Sequence, residues 1–233
     1  MASHQPAQRT LAVIAAAAAA ATTLCGVPVG VATAHSDTDT SSSDRVSVRL
    51  RAAVRHVPVA PETRAGYDRD KFRLWVDANG DCQDTRDEVL DAESRVQVSG
   101  CDITSGKWFS YYDGETWRQS GDVDIDHLVP LAEAWDSDAK RWNAKTRERY
   151  ANDLGDRRTL VAVTDNVNSS KSDRDIAEWL PERAHCRYLR EWTVVKTRWS
   201  LRVNRVEKST MRRMADNCRN DRLRFTEARV VLR

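Results

Sequence analysis

Two short segments carry the residues with chemical potential. The first, Asp122-Val-Asp-Ile-Asp-His-Leu-Val-Pro130, sets a carboxylate at every second position and follows the last with an imidazole. Alternation along a strand puts Asp122, Asp124 and Asp126 on one face and His127 on the other, unless the strand ends there. Three carboxylates on one face repel one another, an arrangement tolerated best around a bound cation. A carboxylate is a hard oxygen ligand for Mg²⁺, and a neutral imidazole can take a proton from water near neutral pH. Hydrolysis of a phosphodiester needs both, a base to make the attacking hydroxide and a cation to stabilise charge on the phosphorane and the leaving oxygen. The second segment, Asp165-Asn-Val-Asn-Ser-Ser-Lys-Ser-Asp173, adds the amide of Asn168 and the ammonium of Lys171. Each residue also has a plainer use: His127 as a buried histidine on a backbone carbonyl, Asn168 as a helix N-cap, Asp124 as a strand-end acceptor and Lys171 as a solvated lysine.

The elements that must position these groups follow from pattern. Residues 123–129 read as a short strand leading to Pro130. Leu131, Trp135, Ala139, Trp142 and Tyr150 recur at helical spacing, which predicts one amphipathic helix over 131–150. The β-branched run 159–164 predicts a buried strand, followed by a short helix around 168–179. Upstream, 95–98 and 107–112 have strand character, punctuated by Gly100 and Asp113-Gly114. Downstream, Tyr188, Trp192, Val195 and Trp199 mark one helix face, and Val206, Met214 and Cys218 the next. The class is α+β, a small strand pair inside a mostly helical frame.

At 233 residues the chain suffices for one well-buried domain. Residues 1–34 read as an export signal, with Arg9 before the apolar run 11–24 and Ala32-Thr33-Ala34 as the cleavage site. The run is too short and alanine-rich for a good membrane span, so no stable membrane association is expected once it is removed. Residues 35–66 are expected to be a disordered or extended leader, and 67–233 the folded domain. Loss of Cys25 with the signal leaves Cys82, Cys101, Cys186 and Cys218, an even set in a secreted chain, which points to disulfides. The favoured pairing is Cys82–Cys101 and Cys186–Cys218. The second pair sits symmetrically, each cysteine 16 positions from Arg202 in the turn of a helical hairpin. A four-cysteine zinc site is disfavoured because no CxxC spacing is present. Residues 183–233 hold 15 Lys/Arg against 5 Asp/Glu, a basic stretch able to hold a phosphate backbone or simply to be a solvated helix face. Asp77, Asn79, Asp81 and Glu88 fall at calcium-loop positions, but Cys82 stands where that loop needs glycine, so a disulfide-anchored loop is the better reading. The eight tryptophans are mostly at core spacing, with Trp108 or Trp117 as conceivable base-stacking residues.

Through Asp-Ile-Asp-His-Leu-Val-Pro (124–130), Leu-Ala-Glu-Ala-Trp (131–135) and Asn-Ser-Ser-Lys-Ser-Asp (168–173), the chain resembles the HNH nuclease family. It is most similar to the C-terminal domain of GmrSD-type restriction enzymes and to related secreted actinobacterial nucleases, over roughly residues 70–210. The order of motifs also looks like that of the HNH domain in RNA-guided DNA nucleases. The resemblance implies a ββα-metal (HNH, His-Me finger) core in a disulfide-stabilised, mostly helical domain. It implies an endonuclease acting on nucleic acid, with DNA favoured over RNA, and a divalent cation, Mg²⁺ or Mn²⁺. Asp126 and Asn168 would hold that cation, with Asp124 as a further candidate, His127 would be the general base, and Lys171 would point toward the scissile phosphate. Asn168 stands where the family name has histidine, which suits Mg²⁺ better than a softer metal. The middle position, which orients the base, falls on either Asn152 or Asp156. A non-catalytic exported protein that binds nucleic acid or wall polymer through its basic helices is the alternative from another class.

Overall fold

The computed structural model describes residues 45–233, so the expected signal segment and residues 35–44 lie outside the described residues. Among the described residues there are three two-stranded antiparallel sheets and seven α-helices. The sheet that matters for chemistry joins β4 (Val123–His127) to β5 (Leu160–Thr164), with Asp126 opposite Val161 and His127 opposite Leu160. Every residue of β5 is buried, because each face of this hairpin meets a different apolar cluster. Ile125, Leu160 and Ala162 join Trp108, Val89 and Leu90 on one side. Val161 and Val163 join Tyr112, Tyr150, Tyr188 and Trp192 on the other. A strand buried on both faces loses the alternation of a half-exposed one, which is why 159–164 reads as a continuous apolar run.

Helix α5 (Asp165–Lys171) follows β5 directly and touches both strands of the hairpin. It starts earlier and stops sooner than the predicted 168–179, ending where Ser172 takes φ +55°. Asn168 is therefore inside the helix and does not cap it.

Between the paired strands, the single helix predicted over 131–150 is broken into α3 (Leu131–Asp136), a 3-10 turn and α4 (Ala144–Ala151). The break is at Asp138, in the left-handed region with φ +95°, a conformation Asp tolerates better than most side chains. Helical periodicity survives the break because Trp135, Ala139, Trp142 and Tyr150 still enter one core.

Two further helices were placed well by their pattern. They are α6 (His185–Arg198) and α7 (Arg205–Asn217), whose far ends are tied by Cys186–Cys218 with Cα atoms 5.6 Å apart. The other disulfide, Cys82–Cys101, closes the loop ahead of α2 (Thr85–Glu93). In that loop the Asp77 carboxylate accepts from Gly80 N at 2.7 Å and Cys82 N at 3.1 Å, and Cys82 itself adopts φ +79°.

Two expectations are corrected at the edges of the domain. Residues 45–56, placed in a disordered or extended leader, form β1 (Arg45–Arg49) and α1 (Leu50–His56), and Leu50 and Val54 are fully buried. β1 pairs with β6 (Arg222–Thr226), burying Val48, Leu223 and Phe225 at least in part beneath a row of exposed arginines. Residues 95–98 form no strand. The aromatic segment instead supplies β2 (Ser105–Phe109), paired with β3 (Thr116–Gln119) through Trp108 opposite Trp117. Trp108 has no exposed surface and donates its indole N–H to Leu90 O at 2.7 Å, so it is core and not a stacking surface for bases.

Candidate active site

Asp126 is the penultimate residue of β4, with 5% of its surface exposed, and both its oxygens are engaged. Lys171 Nζ donates to Oδ1 at 2.7 Å and Tyr112 Oη–H donates to Oδ2 at 2.6 Å. Lys171 is wholly buried and gives a second hydrogen bond to the carbonyl of His127 at 3.0 Å. This corrects the expectation that Lys171 points at a phosphate: its ammonium lies under the strand end and neutralises the buried carboxylate. Burial pushes the Asp126 carboxyl upward and the Lys171 ammonium downward, and each pulls the other back toward its charged form.

His127 leaves on the opposite side of the strand, as alternation requires. Its Nε2 lies 2.9 Å from the carbonyl oxygen of Ala151. A carbonyl only accepts, so Nε2 carries the proton and Nδ1 keeps a lone pair. Burial lowers the imidazole to about 4, and the charges of Arg69 and Lys171 act in the same direction. The ring is therefore neutral near pH 7. Trp75 flanks it, with centroids 5.8 Å apart.

Neither candidate for the orienting residue touches the imidazole. Asp156 is committed to Arg158. Asn152 sits at the C-terminal end of α4, beside Ala151. Its amide donates to Arg73 O at 2.7 Å and Glu148 O at 2.8 Å, and its oxygen accepts from Val76 N at 3.0 Å. It thus brackets Trp75 and fixes the helix end whose last carbonyl holds His127. No pattern in the sequence announces a backbone carbonyl as the partner, nor Tyr112 and Trp75, which come from distant segments.

A pocket of about 350 Å³ opens on this strand end, and Asp126, His127, Asn168, Arg69 and Ser172 are among its lining residues. Asn168 donates its amide N–H to Asp124 Oδ2 at 3.0 Å. That leaves the Asn168 side-chain oxygen, Oδ1, without a hydrogen bond among the described residues. Asp124 is thereby a holder of Asn168. Each Asp126 oxygen accepts one donor and retains a lone pair. One carboxylate and one amide oxygen, both hard donors at a polar opening, fit a cation that keeps several of its waters, as Mg²⁺ does. Arg69 has no carboxylate partner among the described residues.

A group of three carboxylates elsewhere, Glu62, Glu133 and Asp175, places ligand atoms within 4.8 Å of one another. Asn204 donates to Glu62 at 2.8 Å and Asp175 at 3.0 Å, and the buried Lys196 pairs with Glu133, so this group is knit into the core.

Residues 82–214 match the family described as GmrSD restriction endonucleases, C-terminal domain. The chain belongs to that family. A relative, an uncharacterized secreted protein of Arthroderma benhamiae, is 46% identical over 157 residues, covering 66% of this chain and 76% of its own length. No solved structure matches. The GmrSD C-terminal domain links the chain to nucleases, and the relative is described as secreted. The two disulfides accord with an oxidising compartment. Among the described residues no helix is long and apolar enough to cross a membrane.

Proposed function

We propose that this GmrSD C-terminal domain is a metal-dependent endonuclease of the HNH type that hydrolyses phosphodiester bonds, with DNA as the favoured substrate. One observation carries the reading. Asp126, His127 and Asn168, from segments 42 positions apart, line one pocket in which the only unspent imidazole nitrogen is a proton acceptor. The β4, β5, α5 order supports a ββα-metal core.

In this reading His127 Nδ1 takes a proton from water and the resulting hydroxide attacks phosphorus. Ala151 O keeps the ring in the required tautomer, and the indole of Trp75 limits its rotation. Arg69 neutralises non-bridging oxygens of the bound phosphate. Lys171 and Tyr112 hold the Asp126 carboxylate in place, and Asp124 turns the Asn168 amide so that its oxygen is presented. A divalent cation held by Asp126 and Asn168 supplies charge neutralisation at the scissile phosphate and leaving oxygen when bound.

The mature protein is expected to nick plasmid in Mg²⁺ or Mn²⁺ and to stop in EDTA. His127→Ala should abolish nicking while circular dichroism shows the fold retained, and an active His127→Ala variant would sink the assignment. Arg69→Ala is expected to lower kcat/KM about tenfold, in keeping with loss of one charged hydrogen bond to phosphate. Parallel digestion of DNA and RNA decides the substrate, because a metal-bound phosphate site does not by itself choose the sugar.

A further inference from the structure

On another part of the surface lies a cleft of about 710 Å³, larger than the pocket and sharing no lining residue with it. Five arginines line it, Arg95, Arg157, Arg158, Arg187 and Arg224, contributed by separate segments of the chain. Its acidic residues neutralise only two of them. Asp156 is bound by Arg158 at 2.5 Å and Glu191 by Arg187 at 2.8 Å. Glu93 is turned inward, where it accepts from Ala162 N at 3.1 Å. Arg95, Arg157 and Arg224 are exposed and have no carboxylate partner among the described residues.

Three of the five guanidinium groups, those of Arg95, Arg158 and Arg187, are also held in place. Arg187 lies over the Tyr111 ring at 3.7 Å and Arg95 over Phe109 at 4.2 Å. Arg158 reaches the carbonyl of Arg224 at 2.9 Å, fixing the loop before β5 against β6. Side chains restrained before a ligand arrives lose less freedom when it binds. Arginine's planar fork suits phosphate oxygens better than a point charge does.

The cleft adjoins the cutting hairpin. Arg157 stands in the turn that leads into β5, three residues before Leu160, the strand partner of His127. Behind the cleft, Glu191 accepts from Tyr111, whose neighbour Tyr112 holds Asp126. A ligand with phosphates repeating along its length could occupy both places. A small anion, or a protein carboxylate cluster, could not bridge them in this way.

We propose that the arginine cleft is a second nucleic-acid contact, one that grips the sugar-phosphate backbone of the substrate away from the pocket where it is cut. The proposal rests on the nuclease reading for its choice of ligand. It adds a site with no part in the chemistry.

The test measures binding of the full mature chain to a short fluorescein-labelled DNA duplex in EDTA, where no cleavage occurs, across a salt series. Arg157→Ala/Arg224→Ala is compared with wild type, and melting temperatures check that both are folded. The expected result is affinity weaker on the order of tenfold at roughly 0.1 M salt, with the slope of log K against log salt reduced by about two. Unchanged affinity and slope in a folded variant would overturn the proposal, as would wild-type protein that does not bind the duplex. Polyglutamate displacing the duplex as well as unlabelled DNA does would also overturn it, since the cleft would then be selecting charge alone. Because binding is read without metal, a wild type that binds through the cleft but never cuts would refute the nuclease reading and leave this contact standing. A wild type that cuts while the double variant binds normally gives the reverse.

Discussion

At the scale of single residues, the site depends on a charge pair that the sequence contains but does not reveal. Asp126 and Lys171 are both buried, 2.7 Å apart, and Lys171 has no water to fall back on. Removing one partner of such a pair leaves an uncompensated buried charge, at a cost of about 3–5 kcal/mol. Lys171→Met is therefore expected to destabilise the fold by about that much in urea unfolding. Asp126→Asn/Lys171→Met should recover most of the loss, because the stranded carboxylate is gone. Additive losses in the double variant would mean that the two groups do not act as a pair. The types and spacing of Asp126, His127 and Asn168 were legible because strand alternation and motif order act locally. The surroundings of Lys171 were not. A position three residues after Asn168 on a helix says which turn it shares, and tertiary packing decides whether that side chain faces water or a strand end.

At the scale of elements, the sequence discloses what is local or doubly constrained. The buried run of β5 and the stripes of α6 and α7 could be read directly, since each element's own periodicity carries the signal. The break at Asp138 could not, because a left-handed residue keeps both halves facing one core and leaves the apolar pattern intact. The pairing of β1 with β6 was hidden for another reason: Val46 and Phe225 lie at opposite ends of the described chain, and no local feature of either strand names the other. The helical hairpin carries a stability prediction. Cys186–Cys218 closes a loop with a sequence separation of 32, and its loss frees the unfolded chain. Cys186→Ser/Cys218→Ser should lower unfolding free energy by about 2–4 kcal/mol. Equal urea midpoints for the double variant and the oxidised wild type would show that the hairpin needs no staple.

At the scale of the whole molecule, the main core encloses more acid than base. Lys196 has no exposed surface and pairs with Glu133 and, at 3.1 Å, with Glu207, while Asp175 and Glu62 stand nearby. Trp192 donates to Glu207 at 2.6 Å and Ser137 to Glu133 at 2.7 Å. One lysine cannot neutralise both glutamates, and burial raises Glu133 to about 7 and Glu207 to about 8 from an ordinary 4.5. A carboxyl raised on folding binds its proton more tightly in the native state, so its contribution is complete below about 4.5 and is lost as pH climbs through the raised value. His127 acts in the opposite sense: lowered from 6.5 to about 4, it makes stability rise as pH climbs between those values. The two effects oppose each other in mildly acidic solution and separate above about pH 7, where His127 is mostly neutral in both states. Melting temperature should therefore fall between about pH 7 and pH 8.5. Glu207→Gln should flatten that fall, since the amide has no proton to lose and can still accept from Trp192. Calorimetry of both proteins across this window checks the argument. If wild type and Glu207→Gln fall with the same slope, the proton is being released elsewhere, and the buried network around Lys196 is charge-balanced by another group.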